Sequence, residues 1–252
     1  MILNFRKMGE GPALVILHGV FGSADNWQSL GKVFAKNFTV YLVDQRNHGL
    51  SFHSDEFNYE VMTRDLLELC ESEGLKKIKL MGHSMGGKTA MHFACLHSEM
   101  VDKLTVVDIS PRAYPPHHHQ IFAGFQSVDL TSLTSRKDAD VQMSKEIGNM
   151  GIRQFILKNL RRDGDSWGWK LNLEAIEKNA SQIGMALPAA FKYDGETIFI
   201  AGSNSDYIKE ADHDLIRDHF PNATVKVIEG AGHWVHAEKP MDLEEMVTDF
   251  LK

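Results

Sequence analysis

The sequence predicts an α/β fold in which a mostly parallel, twisted sheet carries helices on both faces and a helical cap is inserted into the chain. Three observations predict this class. Short apolar runs alternate with longer segments of helical periodicity. The apolar runs are nearly continuous, as in strands buried on both faces. The alternation is interrupted once, at residues 111–190, in a chain of 252 residues that is long enough to bury one such core.

The strands and helices follow in order along the chain. Strands are predicted at short, largely apolar and often β-branched runs: 13–19, 38–44, 77–83, 103–109, 197–202 and 224–230, with 2–6 as a further edge strand. Helices are predicted where apolar residues recur every three or four positions: 59–74, 88–99, 210–220 and 241–252. We expect Gly74 to end the first of these helices and Pro240 to begin the last.

The interruption at 111–190 predicts an inserted cap. Helical patterns are found there and no β-run is evident; the helical segments are 138–148, 151–162 and 172–184. An insertion this long must fold on itself, and we expect it to cover one end of the sheet. Residues 1–110 and 191–252 would then form the core domain. The run His117–His119 is interpreted as solvated cap and not as a metal site, because no carboxylate or cysteine stands at ligand spacing.

Composition narrows the class of partner. The formal net charge is −7, which disfavours binding to nucleic acid or to an anionic membrane surface. No apolar run approaches the roughly 20 residues of a membrane span, and the first residues lack a secretory signal pattern. Cys70 and Cys95 have no paired spacing and are interpreted as reduced core thiols. We therefore expect a cytoplasmic monomer or homodimer without a cofactor or metal.

The strongest functional motif is Gly82-x-Ser84-x-Gly86, which lies between a predicted strand and a predicted helix. A serine in this context sits on a strained turn, and neighbours without a Cβ let the strand and helix approach each other closely. The helix that follows directs its N-terminal N–H groups toward the site. Ser84 is therefore the predicted nucleophile. The alternative is a glycine-rich turn between strand and helix that has no catalytic role.

A second motif, His18-Gly19-Val20-Phe21-Gly22, ends the first buried strand. In this type of site the oxyanion is bound by the N–H after the nucleophile, here Met85, and by an N–H of the loop after an earlier strand. Val20 is the predicted second donor and Phe21 the alternative. We expect His18 to hold this loop through a ring hydrogen bond and to take no direct part in catalysis.

The general base is predicted among 13 histidines. His233 is distinguished by its position, because it follows the last strand in the glycine-flexible loop of "EGAGHWVH", from which an imidazole can reach the carboxyl edge of the sheet. We expect His236 to pack at the start of the terminal helix, His83 to point away from Ser84, and His48 to stabilise a loop.

Five segments together resemble the α/β-hydrolase superfamily, and within it the small cytosolic esterases of the YbfF/ABHD11 type: "LHGVFGSADNW", "VDQRNHGLS", "GHSMGGKTA", "VVDISP" and "GAGHWVHAEKP". The resemblance extends from the first strands to the last helix. It implies the α/β-hydrolase fold, Ser84 as nucleophile, His233 as base, and the N–H groups of Met85 and Val20 as oxyanion donors. Dehalogenases and epoxide hydrolases of this superfamily carry an aspartate at the position of Ser84.

Two aspartates compete as the acid that orients His233. In most of the superfamily the acid lies three residues after the glycine that closes the strand before the last one, and counting from Gly202 this position holds Ser205. Asp206 comes one residue later, where capping of the next helix is a sufficient explanation. Asp108 ends an apolar strand, where a half-buried carboxylate is costly unless it is paired. The resembling esterases carry the same "VDISP" segment, so Asp108 is the prediction and Asp206 the alternative.

The predicted activity is that of a serine hydrolase acting on small-molecule carboxylic esters or thioesters through an acyl-enzyme. One alternative is lyase, C–C hydrolase or cofactor-free perhydrolase chemistry on the same scaffold. Another is a non-catalytic ligand-binding homologue, which would be expected to have lost the serine, the histidine or the oxyanion loop. Arg112, Arg153 or Trp167 would favour an anionic substrate such as a CoA thioester if they reached the pocket, although each alone is more simply a solvated cap residue.

Overall fold

The computed structural model describes residues 1–116 and 118–252. Its strands are β1 (Phe5–Met8), β2 (Ala13–Leu17), β3 (Thr39–Val43), β4 (Ile78–His83), β5 (Val101–Val107), β6 (Leu160–Asp163), β7 (Ser166–Trp169), β8 (Glu196–Gly202) and β9 (Ala223–Ile228). Seven of these strands form one sheet in the order β1-β3-β2-β4-β5-β8-β9. β1 runs antiparallel to β3, whereas the other pairs of neighbours are parallel. The predicted α/β class with a mostly parallel sheet is confirmed.

The helices occupy the connections between the strands and the segment after β5. They are α1 (Gln28–Phe34), α2 (Tyr59–Ser72), α3 (Met85–Leu96), α4 (His119–Gln126), α5 (Arg136–Met143), α6 (Met150–Leu157), α7 (Leu173–Lys178), α8 (Ala180–Ile183), α9 (His213–His219), α10 (Val235–Glu238) and α11 (Pro240–Leu251). Gly74 has a positive φ just after α2, and Pro240 opens α11, as predicted. No helix among the described residues has the length and apolar character that crossing a membrane requires.

Two apolar layers bury the sheet because its strands are hydrophobic on both faces. One layer packs α2, α3 and α9 against the sheet through residues such as Leu66, Phe93 and Ile216. The other packs α1 and α11 against the opposite face through residues such as Phe34 and Val247. The sheet is thus held rigidly between helices, and its carboxyl edge is a fixed platform for the loops that follow the strands.

The segment 111–190 packs in a third apolar cluster, in which its Phe125, Ile156 and Ile176 are buried together with Phe21 and Met85 from the preceding part of the chain. Helices α5 to α8 lie within the three predicted helical segments or overlap them, and α4 is a helix that was not predicted. The expectation that β-structure is absent from 111–190 is wrong. β6 and β7 pair as an antiparallel hairpin, so the helix predicted at 151–162 ends at Leu157. The turn between the two strands contains Gly164 at φ +60°, a conformation that glycine adopts without strain.

Lys88 ties this segment to the core. Its side chain is fully buried on α3, and its Nζ donates hydrogen bonds to the carbonyl oxygens of Pro111, Arg112 and Met185 at 2.9, 2.6 and 2.9 Å. An ammonium group has three N–H donors, so these carbonyls satisfy all of them. Both ends of the inserted segment are therefore fastened to the helix that follows β4.

Candidate active site

Ser84 lies at the sharp turn between β4 and α3. Its φ of 53° and ψ of −119° are strained for a residue with a Cβ. The flanking glycines make the turn possible, because a Cβ at Gly82 would lie 2.2 Å from the carbonyl oxygen of Gly86, and one at Gly86 would lie 2.5 Å from that of Leu17. The backbone N–H of Ser84 donates a hydrogen bond to the carbonyl oxygen of Val107 at 3.0 Å, which fixes the turn to β5.

Ser84, His233 and Asp108 form a continuous chain of hydrogen bonds. Ser84 Oγ lies 3.1 Å from His233 Nε2, and His233 Nδ1 lies 2.7 Å from Asp108 Oδ2. The three residues follow β4, β9 and β5, so they converge at the carboxyl edge of the sheet, where ligands bind in open α/β sheets. A serine, an imidazole and a carboxylate in this order are the parts of a nucleophile, its base and the group that orients the base.

Asp108 is completely buried, and several neighbours stabilise its carboxylate. Oδ1 accepts a hydrogen bond from the N–H of Gly202 at 3.0 Å, and Oδ2 accepts one from the hydroxyl of Ser205 at 2.5 Å in addition to the contact with His233. The residue has a left-handed φ of 49°, a strained conformation that is found at functional sites when surrounding contacts enforce it. The sequence predicted that a carboxylate buried at position 108 would have to be paired. These three contacts offset the cost of its burial.

Asp206, the alternative acid, lies at the surface. Its side chain is 94% exposed and forms an ion pair with Lys209 at 3.1 Å. Ser205, which occupies the position of the acid in most of the superfamily, instead donates to Asp108. No role was predicted for Ser205, although its place at the usual position of the acid is a signal that could have suggested one.

Two further residues contact His233. The Tyr207 ring stacks on the His233 ring with centroids 3.8 Å apart and an interplanar angle of 15°. Burial raises the pKa of the Tyr207 phenol to about 12, so this ring stays neutral. His83 Nε2 lies 2.8 Å from the carbonyl oxygen of His233 and donates to it. Burial, together with the nearby His233 and His236, lowers the pKa of His83 well below its ordinary value, so its ring is neutral. These contacts hold His233 in place, and neither residue was predicted to take part in the site.

The hydrogen bonds of the backbone N–H groups distinguish Val20 from Phe21, the two candidate oxyanion donors of the loop after β2. The N–H of Phe21 donates to His48 Nε2 at 3.3 Å, so it is occupied. Within residues 1–116 and 118–252, no hydrogen-bond acceptor is found for the N–H of Val20 or of Met85. Val20 lies beside Ser84 in the same cavity, and Met85 is the first residue of α3. The geometry therefore favours the pair Met85 and Val20 over the pair Met85 and Phe21.

The other histidines named at the sequence level have structural contacts. His18 Nε2 accepts from the N–H of Gln45 at 3.0 Å, so Nδ1 carries the proton and donates to the carbonyl of Gly19 at 2.8 Å. Burial lowers the pKa of His18 to about 4 and that of His48 to about 3. His236 stacks on Trp27 with ring centroids 4.6 Å apart, and burial lowers its pKa to about 3. These rings are neutral near pH 7.

Two cavities open at Ser84. The larger has a volume of about 180 Å³ and is lined by aromatic, apolar and histidine side chains, among them Phe21, Ile121, Phe155, His233, Trp234 and His236. The smaller has a volume of about 30 Å³ and is lined largely by apolar groups, among them Met85, Ile109, Tyr114, Pro116, Ala180 and Ile183. A concave, largely apolar space at a serine and a histidine is suited to an apolar acyl compound.

The cationic and aromatic residues considered for an anionic substrate are engaged elsewhere. Arg112 forms an ion pair with Asp212 at 3.1 Å, and Arg153 forms one with Asp140 at 2.8 Å. Trp167 packs on the core of the inserted segment. Among the described residues that line the two cavities at Ser84, none of these three is found.

The described part of the chain contains no group of three or more His, Cys, Asp and Glu side chains that could hold a metal ion. The expectation that the run His117–His119 binds no metal includes His117, which lies outside the described residues.

Comparison with known proteins identifies the family. Residues 12–240 match the family model described as the alpha/beta hydrolase fold. The chain belongs to the α/β-hydrolase family. It is 42% identical over 249 residues to the sn-1-specific diacylglycerol lipase ABHD11 of Mus musculus, covering 95% of this chain and 81% of that protein. It is 37% identical over 230 residues to the esterase YbfF of Escherichia coli (strain K12), covering 90% and 88%.

A solved structure agrees with these relatives. This α/β-hydrolase superposes on a marine microorganism esterase with a TM-score of 0.96 at 41% sequence identity, covering 99% of both chains. The predicted α/β-hydrolase fold and the resemblance to the YbfF/ABHD11 type are confirmed. The names of the relatives also confirm the prediction of a carboxylesterase-type hydrolase.

Proposed function

We propose that this α/β-hydrolase cleaves small-molecule carboxylic esters, and thioesters by the same steps, through an acyl-enzyme on Ser84. His233 acts as general base and Asp108 orients it. The observation that carries the proposal is the hydrogen-bond chain from Ser84 Oγ to His233 Nε2 at 3.1 Å and from His233 Nδ1 to Asp108 Oδ2 at 2.7 Å. The esterases and the lipase to which the chain is similar support ester hydrolysis as the reaction.

The first half-reaction forms the acyl-enzyme. Ser84 Oγ attacks the carbonyl carbon of the substrate while His233 Nε2 takes the hydroxyl proton. The imidazolium that forms is stabilised by the Asp108 carboxylate. When the tetrahedral intermediate collapses, the bond from carbon to the leaving oxygen or sulfur breaks, and His233 returns the proton to the leaving group. The alcohol or thiol is released, and the acyl group remains as an ester of Ser84.

The second half-reaction repeats these steps with water. His233 removes a proton from a water molecule as its oxygen attacks the acyl carbon, and Ser84 leaves with the proton that His233 returns. The carboxylic acid is the second product. In both halves the negative oxygen accepts hydrogen bonds from the N–H groups of Met85 and Val20. A donor of this kind contributes about 2.7–4 kcal/mol to transition-state stabilisation.

Residues 111–190 serve in this proposal as a cap over the core formed by 1–110 and 191–252. Ile121 and Phe155 of this segment line the larger cavity at Ser84, and Ile183 lines the smaller one. A cap in this position excludes bulk water from the reacting groups, which strengthens their electrostatic interactions. It also supplies much of the surface that selects the substrate.

Labelling and hydrolysis test the proposal together. A fluorophosphonate probe is expected to modify Ser84, as mapped by mass spectrometry of the labelled peptide. The variant Ser84→Ala is expected to lose both labelling and hydrolysis of short p-nitrophenyl esters, while its thermal unfolding remains cooperative. Hydrolysis by Ser84→Ala at the rate of the unmodified protein would exclude the acyl-enzyme route. Acetyl-CoA and butyryl-CoA as substrates test the thioester part separately.

A further inference from the structure

The two cavities at Ser84 diverge from a common centre. Both are lined by Val20, Ser84, His118 and Tyr207. From there the larger cavity extends along His233 and the residues that follow it. The smaller extends along the beginning of α3, the segment after Asp108 and helix α8. A substrate with its carbonyl carbon at Ser84 Oγ would place its two halves in these two spaces.

The chemistry of the base determines which half goes where. His233 must deliver its proton to the leaving oxygen or sulfur, so the leaving group lies on the side of His233. His233, Trp234 and His236 line the larger cavity. The acyl chain then extends away from the base, into the space beside Met85, whose N–H is a proposed oxyanion donor. The larger cavity is therefore the leaving-group site, and the smaller is the acyl site.

The volumes of the two cavities limit the sizes of the acyl group and the leaving group of the substrate. A space of about 10–15 Å³ of this kind holds one water-sized group. The smaller cavity, at about 30 Å³, therefore takes roughly two or three such groups beyond the carbonyl carbon. The larger cavity, at about 180 Å³, has about six times this volume. The site is asymmetric in favour of a short acyl group and a large leaving group.

The larger cavity also has an extension that the smaller one lacks in the described structure. A groove of about 470 Å³ between α6 and α10 shares Asn26, Phe155, Trp234 and His236 with it. The rings of Phe155 and Trp234 lie 5.8 Å apart at this junction. The groove continues to a polar rim that includes Gln154, Lys158 and Glu238. The chain of a long leaving group can thus extend out of the cavity along an apolar path and end in a polar environment.

We propose that this enzyme is selective for esters of short acids, with about two to four carbons in the acyl group, and of large apolar alcohols. This inference rests on the proposed function, because it assigns the two halves by the action of His233 on the leaving group. The specificity-determining residues are Ile183 on the acyl side and Phe155 on the leaving-group side.

Ile183 is a suitable residue for testing the acyl site. Its side chain lines the smaller cavity, while its backbone carbonyl is held by the hydroxyl of Tyr59 at 2.6 Å. Shortening the side chain therefore enlarges the acyl site and leaves the backbone of α8 anchored. Ile176 is the matched control, because it is buried in the same core of the cap and lines neither cavity.

The experiment compares two isomeric esters, octyl acetate and ethyl octanoate. They have the same atoms, and both release a primary alcohol, so they differ in which half is long. Acid release is followed by pH-stat, with each ester kept below its solubility limit. We expect kcat/KM for octyl acetate to exceed that for ethyl octanoate by about tenfold or more, because each methylene that the acyl site cannot accommodate lowers kcat/KM by about tenfold. The variant Ile183→Ala is expected to reduce this ratio by about tenfold, and Ile176→Ala to leave it unchanged.

Equal rates for the two esters, or a preference for ethyl octanoate, would overturn the assignment of the cavities while leaving ester hydrolysis intact. An unchanged ratio in Ile183→Ala would also overturn it, because the acyl chain would then lie elsewhere. A different result, in which neither ester nor any short p-nitrophenyl ester is hydrolysed faster than by Ser84→Ala, would overturn the proposed function and this inference with it. Phe155→Ala provides the complementary arm, in which octyl acetate loses its advantage and ethyl octanoate does not slow.

Discussion

The hydroxyl of Ser205 provides a quantitative test of how the Asp108 carboxylate is held. Ser205→Ala removes the donor that lies 2.5 Å from Asp108 Oδ2 and leaves the N–H of Gly202 and the ring of His233 as partners. A hydrogen bond to a charged group contributes about 1.5–3 kcal/mol. Because Asp108 is completely buried, water has little access to replace the lost donor, and we expect the whole of this contribution to be lost.

The expected effects follow from that value. The free energy of unfolding falls by about 1.5–3 kcal/mol, and the melting temperature by about 3–12 °C for a chain of this size. The turnover number falls by about tenfold, because Oδ2 also accepts from His233 and loses the second contact that fixes its position; a tenfold change corresponds to about 1.4 kcal/mol. KM is expected to stay within about twofold, since Ser205 does not line either cavity in the described structure.

Urea denaturation and steady-state hydrolysis of p-nitrophenyl acetate measure these quantities. Ser203→Ala is the matched control, because its hydroxyl accepts from the N–H of Gly230 at 2.8 Å, in an exposed position, and it does not contact Asp108. We expect this control to retain its turnover number. If Ser205→Ala has the turnover number and the stability of the unmodified protein, Ser205 does not hold the acid and the account of the Asp108 environment is wrong.

Two further predictions concern the cap and the buried histidines. Lys88→Met is expected to destabilise the fold by about 3 kcal/mol, about 1 kcal/mol for each carbonyl left without its donor, and to raise susceptibility to limited proteolysis within 111–190. Stability is also expected to fall as the pH is lowered from about 6 to about 4, because the unfolded chain binds protons at five of the described histidines that are buried and neutral in the folded state; each contributes at most about 1.4 kcal/mol per pH unit. The residues are His18 and His92, whose pKa burial lowers to about 4, His48 and His236, whose pKa burial lowers to about 3, and His83, whose pKa burial lowers well below its ordinary value. Urea denaturation at pH 6, 5 and 4 measures the slope.

A different result would contradict each of these two predictions. Lys88→Arg retains a buried positive charge but not the geometry of a single ammonium with three carbonyls, so a fully stable arginine variant would show that this geometry is unimportant. For the histidines, replacement of His236 by Gln is expected to remove about a fifth of their contribution to the pH slope, since it is one of five such groups among the described residues. A stability that does not change over this range of pH would contradict the assignment of neutral, buried rings.

The sheet and the nucleophile turn are predictable from sequence for physical reasons. The strands are buried on both faces, so each is a continuous apolar run, and the glycines around Ser84 are required by backbone contacts closer than a Cβ allows. The hairpin of β6 and β7 was not predicted. Its strands have only four residues each: β6 is exposed after Leu160 and shows no apolar alternation, and in the half-buried β7 the alternation is limited to Trp167 and Trp169. The turn residues Asp163-Gly164 were the available signal.

The environment of the acid depends on tertiary contacts that sequence spacing does not contain. The ends of β5 and β8 are neighbours in the sheet, and this brings Ser205 and Gly202 to Asp108, 94 or more residues away along the chain. The contact between Phe21 and His48 likewise joins two loops across the sheet edge and removes one candidate oxyanion donor. Sequence could name the candidates for these roles, but only the packing distinguishes them.

The most direct test of the central claim compares Asp108→Asn with Asp206→Asn. The asparagine at 108 removes the charge that stabilises the His233 imidazolium and favours the wrong tautomer of the ring, which lowers kcat by up to about 10⁴-fold at a true triad aspartate. Asp206 is exposed and paired with Lys209, so kcat of Asp206→Asn is expected to stay within about twofold, as for surface changes generally. A large loss of kcat in Asp206→Asn with none in Asp108→Asn would contradict the proposed triad.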